Sequence, residues 1–168
     1  PPSRKEIIMN PFFGFRHLYP SVREHRRVEE ENRQLLRHFL DEAYIAPPPK
    51  RLNILSYAQK NFFSILFLAI YRAVGIDPER RLFYGILNHA IRGIVTATDN
   101  ILDDEYKEVL PLRFAPEATR FKSVMHILLF DRFLARVTEQ AARDGLISEE
   151  ERSRLLPGIF AALVPIGA

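Results

Sequence analysis

The sequence contains no cysteine. That excludes disulfides and thiolate metal sites and fits a reducing compartment. Glycine occurs only 7 times in 168 residues, too sparsely for a loop-rich or barrel fold. No segment alternates apolar and polar residues for long enough to read as a strand, and no repeat of fixed period is present. Long hydrophobic runs are also missing. The strongest, Phe62–Ile70, is too short to span a bilayer, and the first ten residues lack the apolar core of a signal peptide. A cytoplasmic protein without an integral membrane segment is expected. There is no basic arm and no nucleic-acid motif, so no nucleic-acid partner is expected. The net charge of +3 is small but suits a polyanionic ligand such as a diphosphate.

What is present describes one helical domain. Hydrophobic residues make up 47% of the chain and charged residues 27%, a globular balance at a length that supports a real core. Residues 1–20, with Pro1, Pro2, Pro11 and Pro20, read as an irregular arm packing through Phe12, Phe13 and Phe15. Residues 21–168 read as the helical domain. Ser21 with Glu24 forms a capping-box pattern for a first helix reaching about Ala46, closed by Pro47–Pro49. Its charged run Arg23–Arg37 reads as a solvated face. A second helix is expected over about Leu52–Val74, with Gly75 as its stop. Asp77-Pro78 opens a third that continues to about Asp104. A fourth covers about Glu117–Asp144, and Ser148 with Glu151 opens a fifth that Pro157 interrupts. Helices two to four are apolar nearly all round, which predicts that they lie inside a bundle. The uncharged stretch Leu155–Ala168 suggests a chain cut short at its C-terminal end.

The third helix carries one polar stripe. His89, Arg92, Thr96, Asp99 and Asp103 follow at spacings of 3, 4, 3 and 4, which places all five on one face. Asp99 and Asp103 repel each other, and they sit where the helix dipole disfavours negative charge. A divalent cation between them would remove both penalties, and a hard cation such as magnesium takes carboxylate oxygens together with substrate phosphates. A merely solvated acidic helix end (Asp99, Asp103, Asp104, Glu105) is the other reading of the same residues. Arg92 is expected to pair with an acid such as Asp131. His89 and His126 read as core or boundary histidines. Tyr57, Lys60, Asn61 and Ser64 form a polar patch facing either a cavity or solvent.

The segment Asp99-Asn100-Ile101-Leu102-Asp103-Asp104 resembles the first aspartate-rich motif of the trans-isoprenyl diphosphate synthases, with Asn100 in place of the middle acid. Lys50-Arg51, before the second helix, resembles that family's homoallylic diphosphate segment, with Pro49 replacing its glycine and Asn53 a following arginine. Asp131 in Leu129-Phe130-Asp131-Arg132 matches a further family position. Arg113 is the only arginine in the loop where the family has a pair. The resemblance covers roughly residues 22–145, the N-terminal half of such an enzyme. It implies an all-α bundle of long, mostly antiparallel helices and a homodimer. It further implies Mg2+ held by Asp99, Asp103 and Asp104, with Lys50, Arg51, Asn53 and Arg113 binding substrate. The reaction implied joins an allylic diphosphate to isopentenyl diphosphate. A class I terpene cyclase, which shares the fold, and a non-catalytic helical interaction module are the competing expectations.

Overall fold

The computed structural model describes the backbone of residues 11–48 and 52–166 and the side chains of 18–48 and 52–165. All regular structure within them is helical. The α-helices are α1 (Pro11–Phe39), α2 (Ile54–Lys60), α3 (Phe62–Ala73), α4 (Pro78–Leu102), α5 (Thr119–Arg143) and α6 (Glu149–Leu163), with short 3-10 turns at Glu42–Tyr44 and Val164–Ile166. One isolated antiparallel bridge, Ile45 to Leu112, ties the segment after α1 to the loop before α5.

Several boundaries follow from local chemistry. Asp77 caps α4, its carboxylate accepting from the backbone N–H groups of Glu79 and Arg80, with Pro78 at the first turn. Ser148 and Glu151 form a reciprocal capping box on α6. Gly75 and Gly145 end α3 and α5 at φ of 81° and 72°, a conformation that side chains with a Cβ adopt only under strain.

Other expectations need correction. Residues 11–20 are helical rather than irregular: α1 starts at Pro11 and runs through Pro20. The side chains of Phe12, Phe13 and Phe15 lie outside the described residues. Ser21 is therefore interior to α1, its hydroxyl is buried without a partner, and Glu24 turns to Arg81 instead of closing a cap. The helix stops at Phe39, short of Ala46. The expected second helix is two helices bent by 91° at Asn61. Asn61 accounts for the break: it is buried, and its side-chain amide donates to the Tyr57 carbonyl at 3.2 Å, competing with the backbone ladder. Pro157 is accommodated inside α6 rather than interrupting it.

The expectation of three buried helices holds for two of them. The core joins α4 and α5 through Phe83, Leu87, Ala90, Leu129, Phe130, Phe133 and Leu134, with Leu36 of α1 and Ile147 closing its edges. α4 and α5 make the most extensive helix–helix contact. It depends on Gly93, where a Cβ would collide with the Phe130 ring. By contrast α2 buries only Tyr57 and α3 only Ile65 and Leu68. Ala58 and Tyr71 pack against the edges of these contacts, and most of the other large apolar residues of both helices are exposed.

Gly93→Ala should therefore lower stability by about 1–3 kcal/mol through overpacking against Phe130. Gly158→Ala in α6, where a Cβ meets open space, should be neutral or stabilising by up to about 1 kcal/mol. Thermal unfolding of the two variants reads both effects.

Candidate functional site

The C-terminal end of α4 carries the acidic pair. Asp103 is the C-cap residue, and its backbone N–H donates to the Asp99 carbonyl at 2.8 Å, so the two residues stand one turn apart on one face. Both side chains are exposed. Neither forms an ion pair or a side-chain hydrogen bond among the described residues. Asp104 differs: it takes a positive φ of 54° and pairs with Arg120 at 3.0 Å. Glu105 pairs with Lys107 at 3.3 Å. No group of three or more histidine, aspartate or glutamate side chains placed to hold a metal occurs among the described residues.

Asn100, the departure from the family motif, has a structural task. It is only 3% exposed. Its amide nitrogen donates to the Lys107 carbonyl and its amide oxygen accepts from the Lys107 N–H, both at 2.9 Å. One side chain thus satisfies both backbone groups of a residue seven positions on and closes the acidic turn into a loop. An aspartate could accept from that N–H but could not donate to the carbonyl.

The stripe upstream divides. Arg92 donates to the Ser64 hydroxyl at 3.1 Å and does not pair with Asp131, which pairs with its neighbour Arg132 at 3.3 Å. Arg92 faces α3, whereas Asp131 belongs to α5. His89 packs edge-on against Phe130 at 5.8 Å between centroids. Arg81, on the same face two further turns back, makes a forked ion pair with Glu24 of α1 at 2.6 and 3.1 Å and also donates to the Ile76 carbonyl.

A second polar cluster, not foreseen from the sequence, lies between α1 and α2. The Tyr57 hydroxyl donates to Glu29 at 2.6 Å, and His25 Nδ1 stands 2.7 Å from the same oxygen. With the phenolic proton committed to Glu29, His25 Nδ1–H donates to it, leaving Nε2 as a buried acceptor without a partner. Arg26 stacks over the Tyr57 ring at 4.9 Å. Burial, then Glu29, raise the Tyr57 pKa above its ordinary value. Of these residues the sequence singled out only Tyr57, as part of a polar patch; it lies 32 residues from His25, and folding alone brings the two together.

The remaining candidates are placed as follows. Asn53 caps α2, its side chain accepting from the Ser56 N–H at 2.9 Å. Arg113 is exposed on the loop before α5, and its backbone N–H donates to the Tyr44 carbonyl at 2.8 Å. Lys50 and Arg51 lie outside the described residues. Lys60 is exposed, whereas Tyr57 and Asn61 are buried. His126 is a core residue, its Nε2 3.3 Å from the Leu110 carbonyl. A groove of about 520 Å³ runs between α4 and α6, lined by Phe83, Tyr84, Ile91, Leu155, Ile159 and Leu163. It occupies a different face of α4 from the acidic pair and does not include it. Compared with known proteins, the chain matches no family model, no curated protein and no solved structure.

Burial holds three imidazoles neutral. Desolvation first, then His89 and Arg92, lower the His25 pKa from 6.5 to about 3. Desolvation lowers His89 and His126 to about 4, with Arg92 adding to the first and Lys122 to the second. Below pH 6.5 the unfolded chain binds protons that the folded chain refuses. Stability is thus fully present above pH 6.5 and lost as pH falls toward 4. For fully buried His25 and His126 the loss approaches about 1.4 kcal/mol per pH unit each. The melting temperature should fall over this window, and less steeply in His126→Gln. Asn100→Asp should cost about 1–3 kcal/mol at neutral pH and speed hydrogen exchange at the Lys107 amide.

Proposed function

We propose that the acidic end of α4 is a magnesium–diphosphate site and that the chain is part of a prenyltransferase. In this reading it joins an allylic diphosphate to isopentenyl diphosphate. One observation carries the reading: Asp99 and Asp103 stand one turn apart on one face, exposed and without a cationic partner among the described residues. Two carboxylates at a helix C-terminus repel each other and oppose the helix dipole. Nearby cations do not relieve them, since Arg120 is engaged by Asp104 and Lys107 by Glu105.

Two carboxylates are also a sufficient protein share for magnesium. This ion usually keeps several waters and takes its other ligands from substrate phosphates. When bound, it would neutralise charge on the departing diphosphate. Asp99 and Asp103 would hold it and orient the allylic diphosphate at the end of α4. Asp104, tied to Arg120, is the weaker third candidate. Asn100 holds the turn after the pair in one shape. Lys50 and Arg51 would supply fixed positive charge for the second diphosphate. Asn53 is a helix cap in this scheme, so its family role as a substrate ligand is set aside.

Magnesium with a non-ionisable allylic thiodiphosphate, at about a hundredfold excess over its Kd, should raise the melting temperature of the chain by roughly 5–10 °C. Asp99→Ala should abolish the shift. No shift in the unsubstituted chain would sink the proposal. Product analysis with an allylic diphosphate alone separates the cyclase reading: hydrocarbon made without isopentenyl diphosphate means cyclisation.

A further inference from the structure

α3 is apolar on two sides. Its inner side places Ile65 and Leu68 against α1 and α4. Its outer side carries Phe63, Phe67, Ile70 and Val74, which recur at spacings of four, three and four and so form one stripe. Phe63 is 71% exposed and Val74 68%. A helix on a protein surface ordinarily presents polar residues outward. α2 continues the anomaly with exposed Ile54 and Leu55, and Leu52 just before it is exposed as well. Of the 18 large apolar side chains exposed in the described chain, 9 fall between Leu52 and Val74, so the exposure is concentrated there.

The charge distribution coincides with this surface. From Ala43 to Ile76 the sequence has no acidic residue, but it has Lys50, Arg51, Lys60 and Arg72. The whole chain holds 24 basic and 21 acidic residues, so the remainder has 20 against 21 and is one unit negative. The entire positive excess therefore falls within the Ala43–Ile76 stretch of sequence, and Lys60 and Arg72 are its basic residues on α2 and α3. Two acids of α1 reach it: Glu24 lies 3.6 Å from Arg72 and is already shared with Arg81, and Glu29 accepts from the Tyr57 hydroxyl at 2.6 Å.

Taken together, α2 and α3 have the length and hydropathy of a membrane span, but the 91° bend divides them into pieces of 7 and 12 residues. At about 1.5 Å per residue neither crosses the roughly 30 Å hydrocarbon layer. Short helices with an apolar face and basic neighbours instead lie in the plane of a bilayer surface. We infer that the outer face of α2 and α3 seats this protein on an anionic lipid bilayer, with the Phe63–Val74 stripe in the headgroup–acyl boundary and Lys60, exposed on α2, against the lipid charge. A second copy of the chain fits the same face less well. A symmetric contact there would press together two pairs of helices that carry basic residues and no acid of their own, and like charges so placed oppose association.

The test is co-sedimentation of the whole chain with vesicles of phosphatidylcholine alone and with roughly one-third phosphatidylserine added. The protein should bind the anionic vesicles and largely ignore the neutral ones. Added salt should weaken binding without abolishing it, because the apolar contribution is not screened. Phe63→Ser with Phe67→Ser should reduce binding at least about tenfold while circular dichroism and melting temperature stay close to the parent, since both side chains are exposed. Lys60→Gln should weaken binding to anionic vesicles alone. Leu128→Ser, at an exposed apolar position on α5, should leave binding intact. Absence of binding to anionic vesicles overturns the inference, as does equal binding to neutral ones. Equal loss in Leu128→Ser overturns it in favour of indiscriminate apolar adhesion. A dimer in solution that Phe63→Ser dissociates, without vesicle binding, overturns it in favour of a self-interface.

Discussion

The close approach of α4 and α5 at Gly93 is the constraint on which the other features depend. Phe130 is fully buried, with its ring occupying the space that a side chain at 93 would need. That contact fixes the rotation of α4 about its own axis. Once α4 is set, Phe83, Leu87 and Ala90 face the shared core. The polar stripe must then point toward α1 and α3, since a helix cannot turn one face without turning the rest. His89 touches both sides of this arrangement: it packs on Phe130 and lies near Arg92 and His25.

Rotation also divides the stripe by depth. At its N-terminal end Arg81 meets Glu24 under α1, and the pair is largely desolvated. Such a pair tolerates burial only because the guanidinium is satisfied by a forked carboxylate and a carbonyl. Arg92, halfway along, reaches Ser64. Beyond it α3 no longer covers α4, and Asp99 and Asp103 emerge into solvent. The same helix face therefore serves as an interhelical seam at one end and as an unpaired acidic edge at the other. Asn100 belongs to neither. It points inward and ties the chain leaving α4 back onto itself through Lys107.

The bend at Asn61 has the opposite consequence for α3. The sequence pattern predicts one straight helix from Leu52 to Val74 inside the bundle, but the chain bends by 91° at Asn61. The break instead directs α2 so that Tyr57 finds His25 and Glu29 midway along α1. The outer side of α3 is left without a covering helix among the described residues. Hydrophobicity alone cannot distinguish these outcomes. An apolar helix reads the same whether it is enclosed or covered on one side only.

Local chemistry made much of this legible in advance. Asp77-Pro78, Gly145 and the Ser148–Glu151 box each act within a single turn, and the helix ends they predict are present. The 3-and-4 spacing of the polar residues on α4 required only helical geometry, so their common face was visible as well. The all-helical class followed from the same periodicity. Tertiary structure decided what each of these groups would meet. Ser21 and Glu24 have a capping pattern, yet they lie inside a helix because α1 begins earlier and Glu24 finds Arg81. Arg92 was expected to reach Asp131, but the rotation set by Gly93 and Phe130 places it beside α3. Asn100 looked like a lost acid, and only the return of the chain at Lys107 shows what an uncharged donor and acceptor achieves there. Sequence by itself determined the helices and the residues that share a face, because those depend on neighbours within a few positions. Which faces are covered, and so which charges stand free, was decided by contacts between residues tens of positions apart.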